Sequence, residues 1–255
     1  MKISLIQTAL LWENHEANRQ NFTRIINSIG EHTDLVVLPE MFATGFTMKP
    51  ELVAEDMEGE TVQWMKAIAS QKGFAITGSL VIKEGGNYYN RLCFVYPDGS
   101  IKTYDKRHLF TLAGEDKAYT SGSEKLIVEY KGWKICPLVC YDLRFPAFSR
   151  NLEDYDLLLY VANWPSPRVL AWDALLKARS IENMCYTAGV NRVGQDENGH
   201  NYPGHSQVLD CLGNELAKAS DGEEVITISL DKEAMLQTRK RFGFLNDRDT
   251  YTMVK

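Results

Sequence analysis

The sequence lacks any apolar run that approaches the ~20 residues needed by a membrane-spanning helix. Its first residues also lack the clean apolar core and small-residue cleavage site of a signal peptide, because Ser4, Gln7 and Thr8 interrupt them. We therefore expect no membrane partner and no secretion signal, and we predict a cytoplasmic protein.

Basic residues are outnumbered by acidic ones. The chain has 28 Lys and Arg against 34 Asp and Glu, which gives a formal net charge of −6. Binding to nucleic acid depends on clustered Lys and Arg. The basic triplets at 106–108 and 239–241 are too short to form such a cluster. The composition thus predicts no nucleic-acid partner.

Cysteine is scarce and odd in number. The five cysteines are Cys93, Cys136, Cys140, Cys185 and Cys211. A chain of 255 residues can bury most of the surface that its unfolded form exposes, so it does not need disulfides for stability. Widely scattered cysteines in such a chain indicate free thiols in a reducing compartment.

The sequence also lacks linkers, repeats and low-complexity segments, so we predict a single domain over residues 1–255. Helical periodicity at 14–29 and 60–72 alternates with apolar strands, and later strands are joined by turn signals such as Pro97-Asp98-Gly99. Helices that flank two runs of sheet favour an α/β sandwich over a simple doubly wound fold. Residues 231–255 are predicted to form a C-terminal helix and tail.

One predicted strand runs directly into a polar turn. Residues 135–139 are mostly apolar, and Cys140 follows them, with Asp142 and Arg144 close behind. A thiol in a polar, charged setting is a candidate nucleophile. A free cysteine is more often a small buried apolar residue. The local pattern leaves both interpretations open.

Two further loops after predicted strands carry charged residues. Glu40 follows the apolar strand at 34–38, and Lys106 follows the strand at 100–104. Ligands of open α/β sheets bind at the carboxyl ends of strands. A thiol nucleophile needs a base, and an acyl-transfer intermediate needs donors for its oxyanion. Glu40, Lys106 and Cys140 would meet these needs together, although each alone is weak support.

The sequence around these three residues resembles the three signature blocks of the nitrilase, or carbon–nitrogen hydrolase, superfamily. The blocks are LPEMF at 38–42, YDKRHL at 104–109 and VCYDLRFP at 139–146. The similarity continues through ANWP at 162–165 and ARSIEN at 178–183 and reaches the tail. It therefore covers nearly the whole chain, and three blocks in the expected order form a specific signal.

The resemblance implies a four-layer αββα sandwich that uses no metal or organic cofactor. It also implies a homodimer that forms through the helices on the nucleophile side, with residues 231–255 contacting the partner subunit.

The resemblance further assigns roles to individual residues. It implies that Cys140 is the nucleophile and that Glu40 is the general base and then the acid. It implies that Lys106 donates to the oxyanion beside the backbone N–H of Tyr141. Glu115 matches a second glutamate that assists in this family.

Within the superfamily, the sequence is most similar to bacterial omega-amidases of the YafV type, through CYDLRFP at 140–146 and the segment after residue 162. Those enzymes hydrolyse the terminal amide of 2-oxoglutaramate and 2-oxosuccinamate. The similarity implies a small-molecule amide substrate whose carboxylate is held by Arg144, and Arg168 on the facing loop is a second candidate for this role. Trp164 and Phe46 are further candidate substrate-binding residues.

Other assignments stay open at this level. The same triad serves aliphatic amidases, N-carbamoyl amidohydrolases and nitrilases, and a non-catalytic binding protein could use the same fold. A Cys–His hydrolase would use His108 or His205. A metal site of Cys136, Cys140, His200 and His205 is disfavoured, because four residues of strand would separate the two cysteine Cα atoms by about 13 Å.

Overall fold

Two six-stranded sheets form the centre of the protein, in a computed structural model that describes residues 1–253. The strands are β1 (Lys2–Gln7), β2 (Leu35–Val37), β3 (Ala75–Glu84), β4 (Asn87–Val95), β5 (Ile101–Asp105), β6 (Val128–Tyr130), β7 (Trp133–Val139), β8 (Leu157–Ala162), β9 (Tyr186–Asn191), β10 (Val193–Gln195), β11 (Asn201–Pro203), β12 (Gln207–Leu209), β13 (Glu215–Lys218) and β14 (Glu224–Ser229). The helices are α1 (His15–Asn27), α2 (Pro50–Val53), α3 (Glu60–Lys72), α4 (Glu115–Ala118), α5 (Pro146–Ser149), α6 (Val169–Asn183) and α7 (Lys232–Phe242).

The order of the strands is similar in the two sheets. The first sheet runs β14-β1-β2-β3-β4-β5 and the second runs β13-β12-β9-β8-β7-β6, while β10 and β11 form a separate hairpin. The strands β1, β2 and β3 are parallel, as are β7, β8 and β9. Two antiparallel pairings lead from β3 to β5, so β5 runs in the same direction as β2.

Alternating side chains of the strands separate two layers of the core. In β2, Leu35 and Val37 pack with residues of the second sheet, whereas Val36 packs with Phe22 of α1 and Met65 of α3. This is the period of two expected of a strand that is covered on both faces. Helix α6 packs against β9 and β12 on the outer side of the second sheet. The layers are therefore α, β, β and α, as predicted.

The helices of the first layer begin and end at recognisable signals. Asn14 caps α1 by accepting a hydrogen bond from the backbone N of Ala17 at 3.1 Å. Helix α3 spans the predicted residues 60–72 and ends at Gly73, whose φ of 73° lies in the left-handed region that favours glycine.

The predicted C-terminal segment contains α7, followed by a 3₁₀ turn at Phe244–Asp247. Arg239 of α7 donates hydrogen bonds to the backbone oxygens of Met184 and Tyr155, at 2.6 and 2.5 Å. These contacts fix α7 beside the second sheet. Residues 254 and 255 of the predicted tail lie outside the described residues. Within residues 1–253, no helix is both long enough and apolar enough to cross a membrane.

Candidate active site

Residues that follow four strands meet at one end of the sandwich. Glu40 lies after β2, Lys106 after β5, Cys140 after β7 and Asn163 after β8. Strands β2 and β5 run in the same direction in the first sheet, and β7 and β8 are parallel in the second. The carboxyl ends of each pair therefore lie at the same edge of their sheet. Hydrogen bonds join residues at these ends, both within the first sheet and between the two sheets. This is the position at which α/β sheets bind their ligands.

Lys106 joins two carboxylates. Its Nζ atom donates to Oε1 of Glu40 at 2.8 Å and to Oε1 and Oε2 of Glu115 at 3.0 and 2.9 Å. All three side chains have no exposed surface. Burial alone would lower the pKa of Lys106, but the charges of Glu115 and Glu40 outweigh it and raise that pKa above its ordinary value. The ammonium group is therefore held in its charged form.

Glu40 is fixed at both carboxylate oxygens. Its Oε1 atom accepts from Lys106 and from Nδ2 of Asn90, which is also 2.8 Å away. Its Oε2 atom accepts from the backbone N of Asn163 at 2.9 Å, and the Asn163 side chain donates to the Glu40 carbonyl at 2.6 Å. The carboxylate thus has one defined orientation beside the thiol loop.

Glu115 reaches the site because the irregular segment after β5 folds back. The segment forms a 3₁₀ turn at Thr111–Ala113 and then α4, of which Glu115 is the first residue. The backbone N of Phe110 donates to Glu115 Oε2 at 2.6 Å. Burial raises the pKa of Glu115, the charge of Lys106 lowers it and the charge of Glu40 raises it, with a net increase.

Cys140 occupies a strained backbone position. Its φ is 43°, a left-handed value that is uncommon for residues other than glycine. It begins a 3₁₀ turn at Cys140–Arg144, and its Sγ atom lies 3.9 Å from the carbonyl oxygen of Asn163. Burial, followed by the charge of Glu40, raises the pKa of the thiol well above its ordinary value, although Lys106 opposes this. The thiol therefore needs a base before it can attack.

Helix α6 fixes the position of the turn that begins at Cys140. Arg179 of α6 is buried, and it donates to the carbonyl oxygen of Leu143 at 2.6 Å. As the second residue of this turn, Tyr141 has a backbone N–H that no carbonyl within the turn accepts. This N–H belongs to the residue that directly follows Cys140.

A cavity of about 280 Å³ opens onto these groups, and both Lys106 and Cys140 line it. All four residues predicted to bind substrate line it too: Phe46, Arg144, Trp164 and Arg168. The guanidinium carbon of Arg144 lies 5.0 Å from the centre of the Trp164 ring, and that of Arg168 lies 5.0 Å from the Phe110 ring. The cavity thus has a thiol and an ammonium group as well as two guanidinium groups.

A model of the carbon-nitrogen hydrolase family matches residues 2–240. The chain belongs to the carbon-nitrogen hydrolase family. It is 45% identical, over 260 residues, to an omega-amidase YafV from Yersinia enterocolitica, with 100% of this chain and 99% of that protein covered. It is 31% identical, over 256 residues, to a 2-oxoglutaramate amidase from Bacillus subtilis, with 98% of each covered.

A solved structure agrees with this assignment. A carbon-nitrogen hydrolase superfamily protein from Xanthomonas campestris, which carries an arsenic adduct in its active site, superposes with a TM-score of 0.97 at 43% identity, covering 100% of this chain and 99% of that one. The predicted superfamily, the αββα fold and the assignment as an amidase-type hydrolase are thereby confirmed.

The histidines considered as catalytic bases or metal ligands occupy different positions relative to the cavity of this carbon-nitrogen hydrolase. The ring of His108 donates to Asp142 at 2.7 Å, and that of His205 donates to Asp173 at 2.9 Å. Neither ring lines the cavity, whereas His200 does. Cys136 lies in the core between the sheets, so the residues considered for a metal site are dispersed.

Some residues that contact the site of this hydrolase were missed in the sequence. Asn163 follows a predicted strand. It could therefore have been found by the rule that selected Glu40, which is that ligands bind at the carboxyl ends of strands. Asn90 lies within β4, where no sequence signal marks it. The turn and second strand of the β10–β11 hairpin also line the cavity, through Asp196, Asn198, His200 and Tyr202.

Proposed function

We propose that this hydrolase removes the terminal amide of a small keto-acid amide, such as 2-oxoglutaramate or 2-oxosuccinamate, and releases a dicarboxylic keto acid and ammonia. The observation that carries the proposal is that Arg144 and Arg168 line the same cavity as Cys140 and Lys106. The similarity to proteins named omega-amidase and 2-oxoglutaramate amidase supports the same substrate class.

The cavity suits a short molecule with two different ends. A five-carbon keto-acid amide has its reactive amide carbon at one end and a carboxylate at the other. The planar fork of a guanidinium group suits bidentate binding of a carboxylate. With the carboxylate on Arg144 or Arg168, the amide carbon is free to meet Cys140.

Acylation starts at the thiol. Glu40 takes the proton of Cys140 as the sulfur attacks the amide carbon. Lys106 and the backbone N–H of Tyr141 donate to the oxyanion of the tetrahedral intermediate. The intermediate collapses when Glu40 returns the proton to the amide nitrogen, so the C–N bond breaks and ammonia leaves. A thioester on Cys140 remains.

Deacylation repeats the same steps with water. Glu40 takes a proton from a water molecule that attacks the thioester carbon, and the same donors hold the second oxyanion. The C–S bond then breaks, and the sulfur regains a proton from Glu40. The acid product leaves. Glu40 therefore acts first as a base and then as an acid in each half of the reaction.

The negative charge of Glu115 stabilises the protonated form of Lys106. A fully buried ammonium group would lose its proton without compensation. Glu115 and Glu40 together keep Lys106 charged, and the bonds that Lys106 makes to both carboxylates fix its position. An ammonium group has three hydrogens. One can bind Glu40 and one can be shared by the two oxygens of Glu115, which leaves the third for the substrate.

Ammonia release from a small panel of compounds tests the substrate class. The panel contains 2-oxoglutaramate, glutamine, an N-carbamoyl amino acid and an aliphatic nitrile. We expect turnover of 2-oxoglutaramate to exceed that of the others, and Cys140→Ser to abolish it while leaving the circular dichroism spectrum unchanged. Cys211→Ser is the matched thiol control and should retain turnover. Preferred turnover of the nitrile or the carbamoyl compound would overturn the assignment.

We also propose that the enzyme is a cytoplasmic homodimer to which the segment 231–255 contributes contacts. Within residues 1–253 all five cysteines are free thiols, which supports a reducing compartment. Light scattering coupled to gel filtration would test the dimer, and a truncation after residue 243 should weaken it. A monomeric full-length protein would contradict the proposal.

A further inference from the structure

Asn90 contacts Glu40, Lys106 and Glu115. It is fully buried in β4, and its Nδ2 atom donates to Oε1 of Glu40 at 2.8 Å and to Oε1 of Glu115 at 3.2 Å. Its backbone carbonyl accepts from the backbone N of Lys106 at 3.0 Å. One neutral residue thus bridges the two carboxylates on one side, as the Lys106 ammonium group does on another.

The orientation of the Asn90 amide follows from its neighbours. Two carboxylates accept hydrogen bonds and do not donate them when ionised. The NH₂ group must therefore face Glu40 and Glu115, because the amide oxygen would be repelled there. That oxygen has no hydrogen-bond partner within residues 1–253. A buried acceptor without a partner lowers stability, so this side chain is poorly explained as a contribution to folding alone.

The two oxygens of Glu40 differ because of Asn90. Oε1 accepts from both Asn90 and Lys106, whereas the one hydrogen bond to Oε2 from residues 1–253 comes from the backbone N of Asn163. An oxygen with two charge-assisted or amide donors has little capacity to accept a further proton. Oε2 is therefore the better acceptor for a proton from the thiol.

We propose that Asn90 is a positioning residue that fixes Oε2 of Glu40 as the proton-accepting atom and keeps Glu115 on Lys106. This inference rests on the proposed role of Glu40 as the base. Without the amide, Oε1 of Glu40 is held by Lys106 alone, and the two carboxylates lose one of the two donors that they share. Deprotonation of Cys140 then becomes slower, while the arginines that hold the substrate are untouched.

The test compares Asn90→Leu, which keeps the size of the side chain but removes its donors, with the wild-type enzyme. Loss of charge-assisted hydrogen bonds predicts a fall in kcat of about 10- to 100-fold. KM should change less than about threefold, since Asn90 does not line the cavity. Asn90→Ala is a second variant for the case in which leucine does not fit.

Alkylation of Cys140 by iodoacetamide measures the same property without an amide substrate. Glu40 takes the thiol proton, the sulfur forms a bond to the methylene carbon, and iodide leaves. Mass spectrometry locates the adduct, and we expect alkylation in both Asn90 variants to slow by a factor similar to that in kcat. Because this assay needs no keto-acid amide, failure of the substrate panel and failure of this inference are distinguishable.

Leu92→Ala is the matched control. Leu92 lies two residues further along β4, on the same face, and packs in the core between the sheets. Its truncation should lower the melting temperature yet leave the alkylation rate of the folded protein unchanged. Wild-type alkylation in a folded Asn90 variant would overturn the inference, and so would equal slowing in Leu92→Ala.

Discussion

Asp142 accepts two hydrogen bonds from His108 through the same carboxylate oxygen, from the backbone N at 3.0 Å and from the ring Nδ1 at 2.7 Å. Its other oxygen accepts from the Tyr104 hydroxyl at 2.7 Å and from the backbone N of Val139 at 3.0 Å. The three bonds from His108 and Tyr104 tie the turn after Cys140 to the strand and loop that carry Lys106, while the bond from Val139 closes the turn itself. Asp142 therefore links the turn that begins at the thiol to the loop that begins at the ammonium group.

Asp142→Ala should reduce the free energy of unfolding by roughly 3 to 5 kcal/mol, because it leaves buried donors without an acceptor. Denaturant titration measures this loss. Asp116→Ala removes an exposed carboxylate of α4 and is the control, expected to stay within about 0.5 kcal/mol of the wild type. A loss below about 1 kcal/mol in Asp142→Ala would show that water or movement replaces the bonds.

Glu40→Gln should block both halves of the reaction, because one carboxylate serves each proton transfer. General acid–base catalysis typically contributes ~10² to 10⁴-fold, so the fall in kcat should lie in or above that range. Single-turnover kinetics, which follow thioester formation and decay separately, provide the measurement. Glu51→Gln, at an exposed position in α2, is the control and should leave kcat unchanged. A slow acylation combined with normal deacylation would assign the second base to another residue.

Lys106→Ala should lower kcat by roughly 10² to 10³-fold through the loss of one oxyanion donor. It also leaves Glu40 and Glu115 facing each other without a cation, which should lower the melting temperature. Adding Glu115→Gln to this variant should restore much of the stability, since one buried charge disappears, but none of the activity. Lys102→Ala, at an exposed position of β5, is the control. Near-normal turnover in Lys106→Ala would refute the oxyanion role.

Arg144→Met should raise the KM for 2-oxoglutaramate at least tenfold and leave a neutral amide of similar length almost unaffected. An unpaired carboxylate in a desolvated pocket costs about 2 to 5 kcal/mol. The alternative is that Arg144 only shapes the loop, but Glu182 pairs with Arg179, and Asp142 is occupied by other donors. Arg168→Met, measured in parallel, identifies which arginine holds the carboxylate. Equal losses on both substrates would indicate loop shaping.

Asp34 should make the protein sensitive to acid. Burial alone would raise its pKa, but hydrogen bonds from Lys131, the Lys2 backbone and His32 lower that pKa from 3.8 to about 2. A folded-state pKa below the unfolded one stabilises the protein above about pH 4, and this contribution is lost as the pH falls toward about 2. Melting temperatures across this range should fall less steeply for Asp34→Asn than for the wild type. Parallel curves would contradict the prediction.

Much of the fold was predictable from local patterns. Helix α3 has the predicted bounds, and α1 begins at the predicted cap because the Asn14 signal acts within a few residues. The strands that precede Glu40, Lys106 and Cys140 were also predicted, because apolar runs that end in polar loops identify strand ends without tertiary information.

The tertiary structure alone decided which groups surround these residues. Asn90 is 50 residues from Glu40 in the chain and lies within a strand, so only the pairing of β4 between β3 and β5 places it there. The hairpin that carries His200 reaches the cavity by packing, which no local period encodes. The sequence by itself determined the chemical groups and their strand ends, because periodicity and turn signals are local. Their hydrogen-bond partners depended on the packing of two sheets, which joins residues distant in sequence.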